Sequence, residues 1–294
     1  MSVSENFSSF CSNLTVNNTS DISSRYKLIT RRLNLDFRNL NSDISYSRYV
    51  GSYGRGTAVR GFSDLDMIYE LPWSIFSQYN DYVGNGQSAL LQAVRRSILK
   101  TYPATSIGGD GQVVVVSFSD GMRFEVVPAF RFNLDNRKDF YYPDSNGGGS
   151  WKSTDPVPEI NALQTRDIYV NGNLKRLCRM ARAWKSFCNV PMGGLLIDTL
   201  AYRFLGTWAH RDKSYVYYDW MSRDFFDYLA SESTEKQYWQ ALGSGQYIWK
   251  KGDFQYKARR ACNISKQAIE AEGKGYTSTS KKHWREVYGY RFPS

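Results

Sequence analysis

The stretch Gly51–Met67, GSYGRGTAVRGFSDLDM, constrains this chain more than any other segment. It sets a glycine-rich turn after one strand-forming run and two aspartates, Asp64 and Asp66, at the start of another. Glycines let backbone N–H groups come close to phosphate oxygens, and the Ser52 hydroxyl adds a donor. The spacing excludes two other phosphate-binding designs. A P-loop ends in Gly-Lys followed by Ser or Thr, and a dinucleotide fold needs G-x-G-x-x-G opening a βαβ unit. Along a strand, residues i and i+2 share a face about 7 Å apart, so Asp64 and Asp66 point the same way. Paired hard oxygen donors suit Mg²⁺. Phosphoryl transfer uses such cations to activate an attacking hydroxyl and to stabilise the leaving pyrophosphate. The stretch therefore reads as the phosphate-gripping and metal-binding core of a nucleotidyltransferase.

That chemistry calls for a third carboxylate on a neighbouring strand. Glu125, in Arg123-Phe124-Glu125-Val126-Val127-Pro128, interrupts an apolar run where an unpaired charge is costly. Arg123 shares its parity, which also fits a solvent-facing pair. Asp120 is explained by the Asp-Gly turn that it opens.

Apolar periodicity predicts a long helix over Ser20–Leu40 and another over Ser88–Thr101. Ile44–Val50 and Leu65–Leu71 read as strands, and Val113–Phe118 with Met122–Val127 as a hairpin around Ser119-Asp120-Gly121. Residues 133–153 read as a loop, a lobe boundary or mobile segment. Trp73–Tyr82 has no clear period. From Asn173 onward the pattern is helical, over Leu174–Phe187, Gly194–Trp208, Trp220–Ser231 and Asp253–Glu272. Strands first and helices second indicate an α+β fold. The expected division is a catalytic lobe over 1–155, including the long N-terminal helix as a brace, and a helical lobe over 156–294 that completes a nucleotide cleft.

The chain has 294 residues and a net charge of +10, from 38 Lys and Arg against 28 Asp and Glu. This surplus favours polyanionic partners such as nucleotides or nucleic acid. Aromatics reach 16%, enough to line a large core or to stack on bases. Cys11, Cys178, Cys188 and Cys262 form no C-x-x-C pair, and with only His210 and His283 they supply no zinc-site spacing. Reduced thiols, the absence of a signal-peptide pattern and the absence of a membrane-length apolar run lead us to expect a cytoplasmic protein. His210 and His283 read as structural or solvated, Trp184 as core. Lys274, Lys281 and Lys282 read as a solvated basic face, with nucleic-acid contact the alternative.

Gly51-Ser52, Ser63-Asp64-Leu65-Asp66 and Phe124-Glu125-Val126-Val127-Pro128-Ala129 together resemble the polymerase-β-like nucleotidyltransferase superfamily. Within it the chain resembles the bacterial CD-NTases, the cGAS/DncV-like synthases of cyclic-oligonucleotide signals. Trp151-Lys152-Ser153-Thr154-Asp155-Pro156 is similar to that family's W-x-x-T-x-P segment. Leu177–Lys185 is similar to its helix ending in Lys-Ala-Trp, and Trp284–Pro293 to its closing W-x-x-x-x-G-x-x-F-P. The resemblance implies a mixed-sheet lobe packed on a helical lobe, with Asp64, Asp66 and Glu125 holding two Mg²⁺ (or Mn²⁺) ions. It also implies Gly51 and Ser52 on the donor triphosphate and Glu125 assisting deprotonation of the acceptor hydroxyl. The family's phosphate-binding Lys falls on Arg182, with Arg179 and Lys185 three residues either side, and a Ser common in the family falls near Gly193 or Gly194.

The implied activity joins NTPs into a cyclic di- or trinucleotide that activates a separate effector in anti-phage defence. Two other readings keep the fold: a template-independent enzyme modifying RNA or protein, and a catalytically degenerate nucleotide sensor.

Overall fold

The computed structural model describes residues 2–61, 64–132 and 139–294. Ser63 and the first part of the expected loop, 133–138, lie outside the described residues. In chain order the elements begin with α1 (Val3–Leu14), α2 (Thr19–Arg38), β1 (Ser47–Tyr49), α3 (Gly51–Gly54) and β2 (Leu65–Leu71). There follow α4 (Phe76–Asn80), α5 (Gly86–Leu99), β3 (Ser106–Asp110), β4 (Val113–Ser117), β5 (Arg123–Arg131), β6 (Phe140–Asp144) and β7 (Ser150–Thr154). The remainder is α6 (Pro156–Tyr169), α7 (Asn173–Phe187), α8 (Gly194–Thr207), α9 (Tyr218–Ser231), β8 (Tyr238–Gln240), β9 (Tyr247–Trp249), α10 (Gln255–Gly273) and α11 (Thr277–Tyr288).

The chain divides into two compact units. One comprises Asn18–Gly54 and Asp64–Val157; the other comprises Met1–Asn17, Arg55–Ser63 and Pro158–Ser294. Helix α1 and the segment from Arg55 thus group with Pro158–Ser294.

The unit that holds Asp64–Val157 is built on a mixed sheet in the order β1-β2-β5-β4-β3, extended by β6 and β7. Its central pair, β2 and β5, runs parallel; the other pairings are antiparallel. One face carries Leu65, Met67, Tyr69, Phe124, Val126, Val114 and Val116, all buried. Helix α2 covers this face, where the Tyr69 hydroxyl donates to Asn34 Oδ1 at 3.1 Å. Helix α5 contributes Leu90, Leu91, Val94 and Ile98, and burying each such side chain contributes about 1.5–3 kcal/mol. The 133–153 stretch is not a simple loop. Its described part forms the β6–β7 hairpin, turned by Gly147, Gly148 and Gly149 at positive φ. Glycine and proline there masked a strand signal that pairing with β5 supplies. The Gly-Gly pair inside β3 hid that edge strand in the same way.

The unit that holds Pro158–Ser294 is a helical bundle around Trp184, Phe226, Tyr288 and Leu200. Helix α1 enters this core through Phe7, Phe10 and Leu14. Phe7 meets Trp284 at 5.1 Å between ring centroids, and Phe10 meets Tyr288 at 4.7 Å. The closing Trp284–Pro293 segment is thus a packing motif. Gly289 sits at φ +75, and a Cβ there would come within 2.7 Å of the Phe187 ring.

Phe10 is fully buried among these rings. Phe10→Ala is expected to cost about 3–5 kcal/mol, read as an earlier midpoint in urea denaturation of the full chain. A cost below about 1 kcal/mol would show that α1 is not part of the core.

Candidate active site

Asp66 and Glu125 are direct register partners on the parallel strands β2 and β5, so their backbones stand one strand spacing, about 4.8 Å, apart. Both side chains lie on the face opposite α2. Asp64 has the same parity, just before the first residue of β2, where its side chain is half exposed. Further along this face Ile68 and Ala129 form a small apolar cluster with Val50 and Phe140. Beyond that cluster the same face carries Glu70 and Arg131, an ion pair at 3.5 Å, so the apolar patch lies between two charged ends and the acids occupy one of them.

The glycine-rich turn is fitted to this acidic end. Val50 N–H donates to the Asp66 carbonyl at 2.9 Å, tying the start of the turn to β2. Gly51 has φ +57, and a Cβ built on it would lie 1.8 Å from Asp66 Oδ2 and 2.6 Å from Asp66 Cγ. Both the backbone conformation and the carboxylate require glycine here. Ser52 follows in α3, half-buried. Behind the turn, Tyr49 stacks on Tyr26 at 4.1 Å and meets Tyr53 at 4.6 Å.

Among the described residues, no three acidic, His or Cys side chains are gathered closely enough to hold a metal ion as they stand. The donor set nevertheless fits a hard divalent cation: carboxylate oxygens only, on one face, with two directly opposite on adjacent strands. The Arg123 guanidinium lies among them, 2.9 Å from Glu125 Oε1 and 3.8 Å from Asp64 Oδ1. The parity shared by Arg123 and Glu125 is thus an ion pair on the acidic face.

Beyond Gly54 the same motif does something the sequence did not reveal. Arg55 and Thr57 belong to the other unit and are buried there. Arg55 Nε donates to Asp198 Oδ2 at 2.8 Å and its Nη1 to Glu159 at 3.2 Å, while Thr57 Oγ1 donates to Asp198 Oδ2 at 3.0 Å. Arg182 Nη2 completes the cluster, 2.6 Å from Asp198 Oδ2 and 3.1 Å from the Gly194 carbonyl. Asp198 is 0% exposed. Burial by itself would raise its carboxyl, but the Arg182 and Arg55 guanidiniums outweigh that and hold it below its ordinary value. The signal that would have found it is a lone acid within the apolar run GLLIDTLAYRF, which no chain buries without a partner.

The structure places Arg182 in this ion pair. Arg179 donates to the Gly56 carbonyl at 2.8 Å. Lys185 is half-buried, and its ammonium is held below its usual range by burial, then by Arg182 and Lys251. His210 sits among the rings of Trp208, Tyr217 and Trp220, and His283 pairs with Glu286. Lys274 pairs with Glu270 one turn back, and Lys281 donates to the Ser294 carbonyl. Trp151 is packed against Phe76 and Phe130 and donates to Asn80, so the W-x-x-T-x-P segment holds the β7 edge. All four cysteines are free, and burial pushes the Cys11 thiol up to about 12.

Residues 1–167 match the model of the Second Messenger Oligonucleotide or Dinucleotide Synthetase domain, more than half of the chain. Over 282 residues the chain is 21% identical to a protein of Bacillus cereus named a probable cyclic nucleotide synthase, covering 83% of this chain and 81% of that one. It is similar to the Vibrio cholerae DncV cyclic AMP-GMP synthase solved with nonhydrolyzable GTP, at a TM-score of 0.68 and 14% identity, covering 96% of this chain and 93% of that one. It is also similar to Escherichia coli MS115-1 CdnC solved with ATP, at a TM-score of 0.67 and 15% identity over 99% of each chain. These likenesses show the polymerase-β-like α+β fold expected from the sequence.

Removing Asp198 would leave two guanidiniums buried without their shared carboxylate. Asp198→Ala is expected to cost about 3–5 kcal/mol at neutral pH, measured by urea denaturation. Because the folded carboxyl is depressed, its contribution is complete above the unfolded value of about 3.9 and is lost as pH falls through the folded value. The gap between wild type and variant should therefore narrow only below about pH 4; a gap independent of pH would contradict the ion-pair account.

Proposed function

Because the chain belongs to the Second Messenger Oligonucleotide or Dinucleotide Synthetase family, the bacterial CD-NTases, we propose that it joins NTPs into a cyclic di- or trinucleotide. The observation that carries this reading is Asp66 opposite Glu125 on β2 and β5, with Gly51 pressed against the Asp66 carboxylate.

In this proposal Asp64, Asp66 and Glu125 would hold two Mg²⁺ ions, with Mn²⁺ able to replace them. When bound, such ions lower the pKa of an acceptor hydroxyl and neutralise charge on a triphosphate. Glu125 helps take the proton from a ribose hydroxyl, which then attacks the α-phosphorus of a second NTP. An O–P bond forms there, the bond from the α-phosphorus to the bridging oxygen breaks, and pyrophosphate leaves. A second attack of the same kind closes the ring. Gly51 and Ser52 lie on the donor triphosphate. In the other unit Lys185 offers cationic charge to phosphate, and Arg182 positions the helix that carries it by holding Asp198.

Among the described residues no helix is long and apolar enough to cross a membrane. We place the enzyme in the cytoplasm, its product acting on a separate effector in anti-phage defence.

Incubation with the four NTPs and Mg²⁺ or Mn²⁺ should release pyrophosphate and yield phosphatase-resistant small products, identified by mass spectrometry. Asp66→Asn should reduce product to background. Gly51→Ala should do nearly the same while removing no ligand, because its Cβ must displace the Asp66 carboxylate. Label entering RNA or protein instead would favour a macromolecular acceptor. No pyrophosphate with any NTP and either metal would end the synthase reading.

A further inference from the structure

The β8–β9 hairpin lies wholly within the unit that contains Pro158–Ser294. Its register pairs Tyr238 with Trp249, Trp239 with Ile248, and Gln240 with Tyr247. Alternation sends Trp239 inward, where it is 1% exposed and donates to Glu232 at 2.7 Å. The outward face should be polar in a hairpin with one solvated side. Here three of its four side chains are aromatic: Tyr238, Tyr247 and Trp249 are 45%, 61% and 65% exposed. Their ring centroids stand 4.8–6.4 Å apart, inclined by 51–78°. Rings so inclined do not stack on one another and leave faces open to a flat partner.

The hairpin is held firmly from behind. Arg203 donates to the Gln240 carbonyl at 2.8 Å, Leu242 N–H to Thr199 at 3.3 Å and Ser244 to Glu159 at 3.0 Å. Gly243, in its turn, lies so close to Pro158 that a Cβ would come within 2.2 Å of that carbonyl. At its foot, two residues after Trp249, is Lys251. Its Cε lies 3.7 Å from where a Cβ on Gly193, the residue capping α8, would stand. Lys251 is near enough to Lys185 to lower its ammonium further, after burial and Arg182. Among the described residues neither lysine has an acidic partner to neutralise it. Exposed rings with one unneutralised cation, Lys251, two residues on and a second, Lys185, beside it match the two halves of a nucleotide, a planar base and its phosphates.

We propose that the outward face of the β8–β9 hairpin is the seat of a nucleoside triphosphate, its base stacked on Trp249 with the inclined Tyr247 ring against its edge, and its phosphates met by Lys251 and Lys185. The spacing favours one nucleotide over a strand of nucleic acid, because rings 4.8–6.4 Å apart leave room for one base among them and not for a series of bases. The proposal rests on the reading of NTPs as substrates and assigns them residues outside the Gly51–Met67 motif.

The test uses the full chain, Mg²⁺ and α,β-methylene analogues of the four NTPs, with inorganic tripolyphosphate as a probe lacking a base. Binding is measured by calorimetry. Stacking on aromatic residues contributes about 1–3 kcal/mol per base, so Tyr247→Ala/Trp249→Ala should weaken at least one analogue by about 5- to 100-fold. Tripolyphosphate affinity should be unchanged in that variant, and Trp249→Phe should retain most of the analogue affinity. Lys251→Ala should weaken analogue and tripolyphosphate alike. Wild-type affinity for every analogue in the double variant, with an unchanged melting temperature, overturns the proposal. So does failure of the wild type to bind any analogue. Sedimentation showing a wild-type dimer that the double variant dissociates would assign the face to a second copy and also overturn it. Product formation by the wild type separates the two readings. Product with undiminished binding in the double variant sinks only the hairpin seat; lost binding without product sinks only the synthase.

Discussion

The parallel pairing of β2 with β5 is the constraint on which the site depends. Alternation along one strand is enough to align Asp64 with Asp66, but only the lateral register brings Glu125 level with Asp66. Slipping that register by one residue would turn every β5 side chain to the opposite face. It would bury Glu125 beneath α2 and α5 and expose Phe124 and Val126. The apolar residues of the covered face therefore secure the acids on the other face. The Gly51 turn adds a second, steric condition: its contact with the Asp66 carboxylate tolerates no side chain.

A different kind of interaction organises the helical unit. Two guanidiniums, Arg55 and Arg182, converge on one oxygen of Asp198, and Arg55 also reaches Glu159. The charges balance, which makes their burial tolerable, and each depends on the others because an unpaired buried ion is far costlier than a missing pair. The cluster ties the 55–57 segment to α6, α7 and α8 of its own unit. It also engages Arg182, leaving Lys185 on the same helix without an acidic partner among the described residues. Charge in this unit is thus divided between neutralised ions that shape the backbone and unneutralised ones available to an anion.

Much of the architecture was legible in advance wherever a strong period had no competing signal. Helices α2, α5, α7, α8, α9 and α10, the strands β2 and β4–β5, and the core position of Trp184 all carried dense apolar patterns. Elements without that density went unread. Helix α1 is mostly polar, and its Phe7 and Phe10 make sense only against Tyr288 and Phe292, nearly the whole chain away. The β6–β7 hairpin was hidden by Pro143 and three consecutive glycines, and the β8–β9 hairpin by strands of three residues each. Short strands acquire their identity from the partner they pair with, which local pattern does not contain.

By itself the sequence singled out the candidate site residues, because glycine turns, paired aspartates and strand alternation are local and follow from geometry within a few residues. It also determined the α+β class and the family. Tertiary structure alone decided which cations are committed to carboxylates, why Gly51 must be glycine, and that α1 packs with the last helix. It alone showed three aromatic rings set side by side in water. Each of these depends on residues distant along the chain and adjacent in space, and a distance of that kind is a property of the fold.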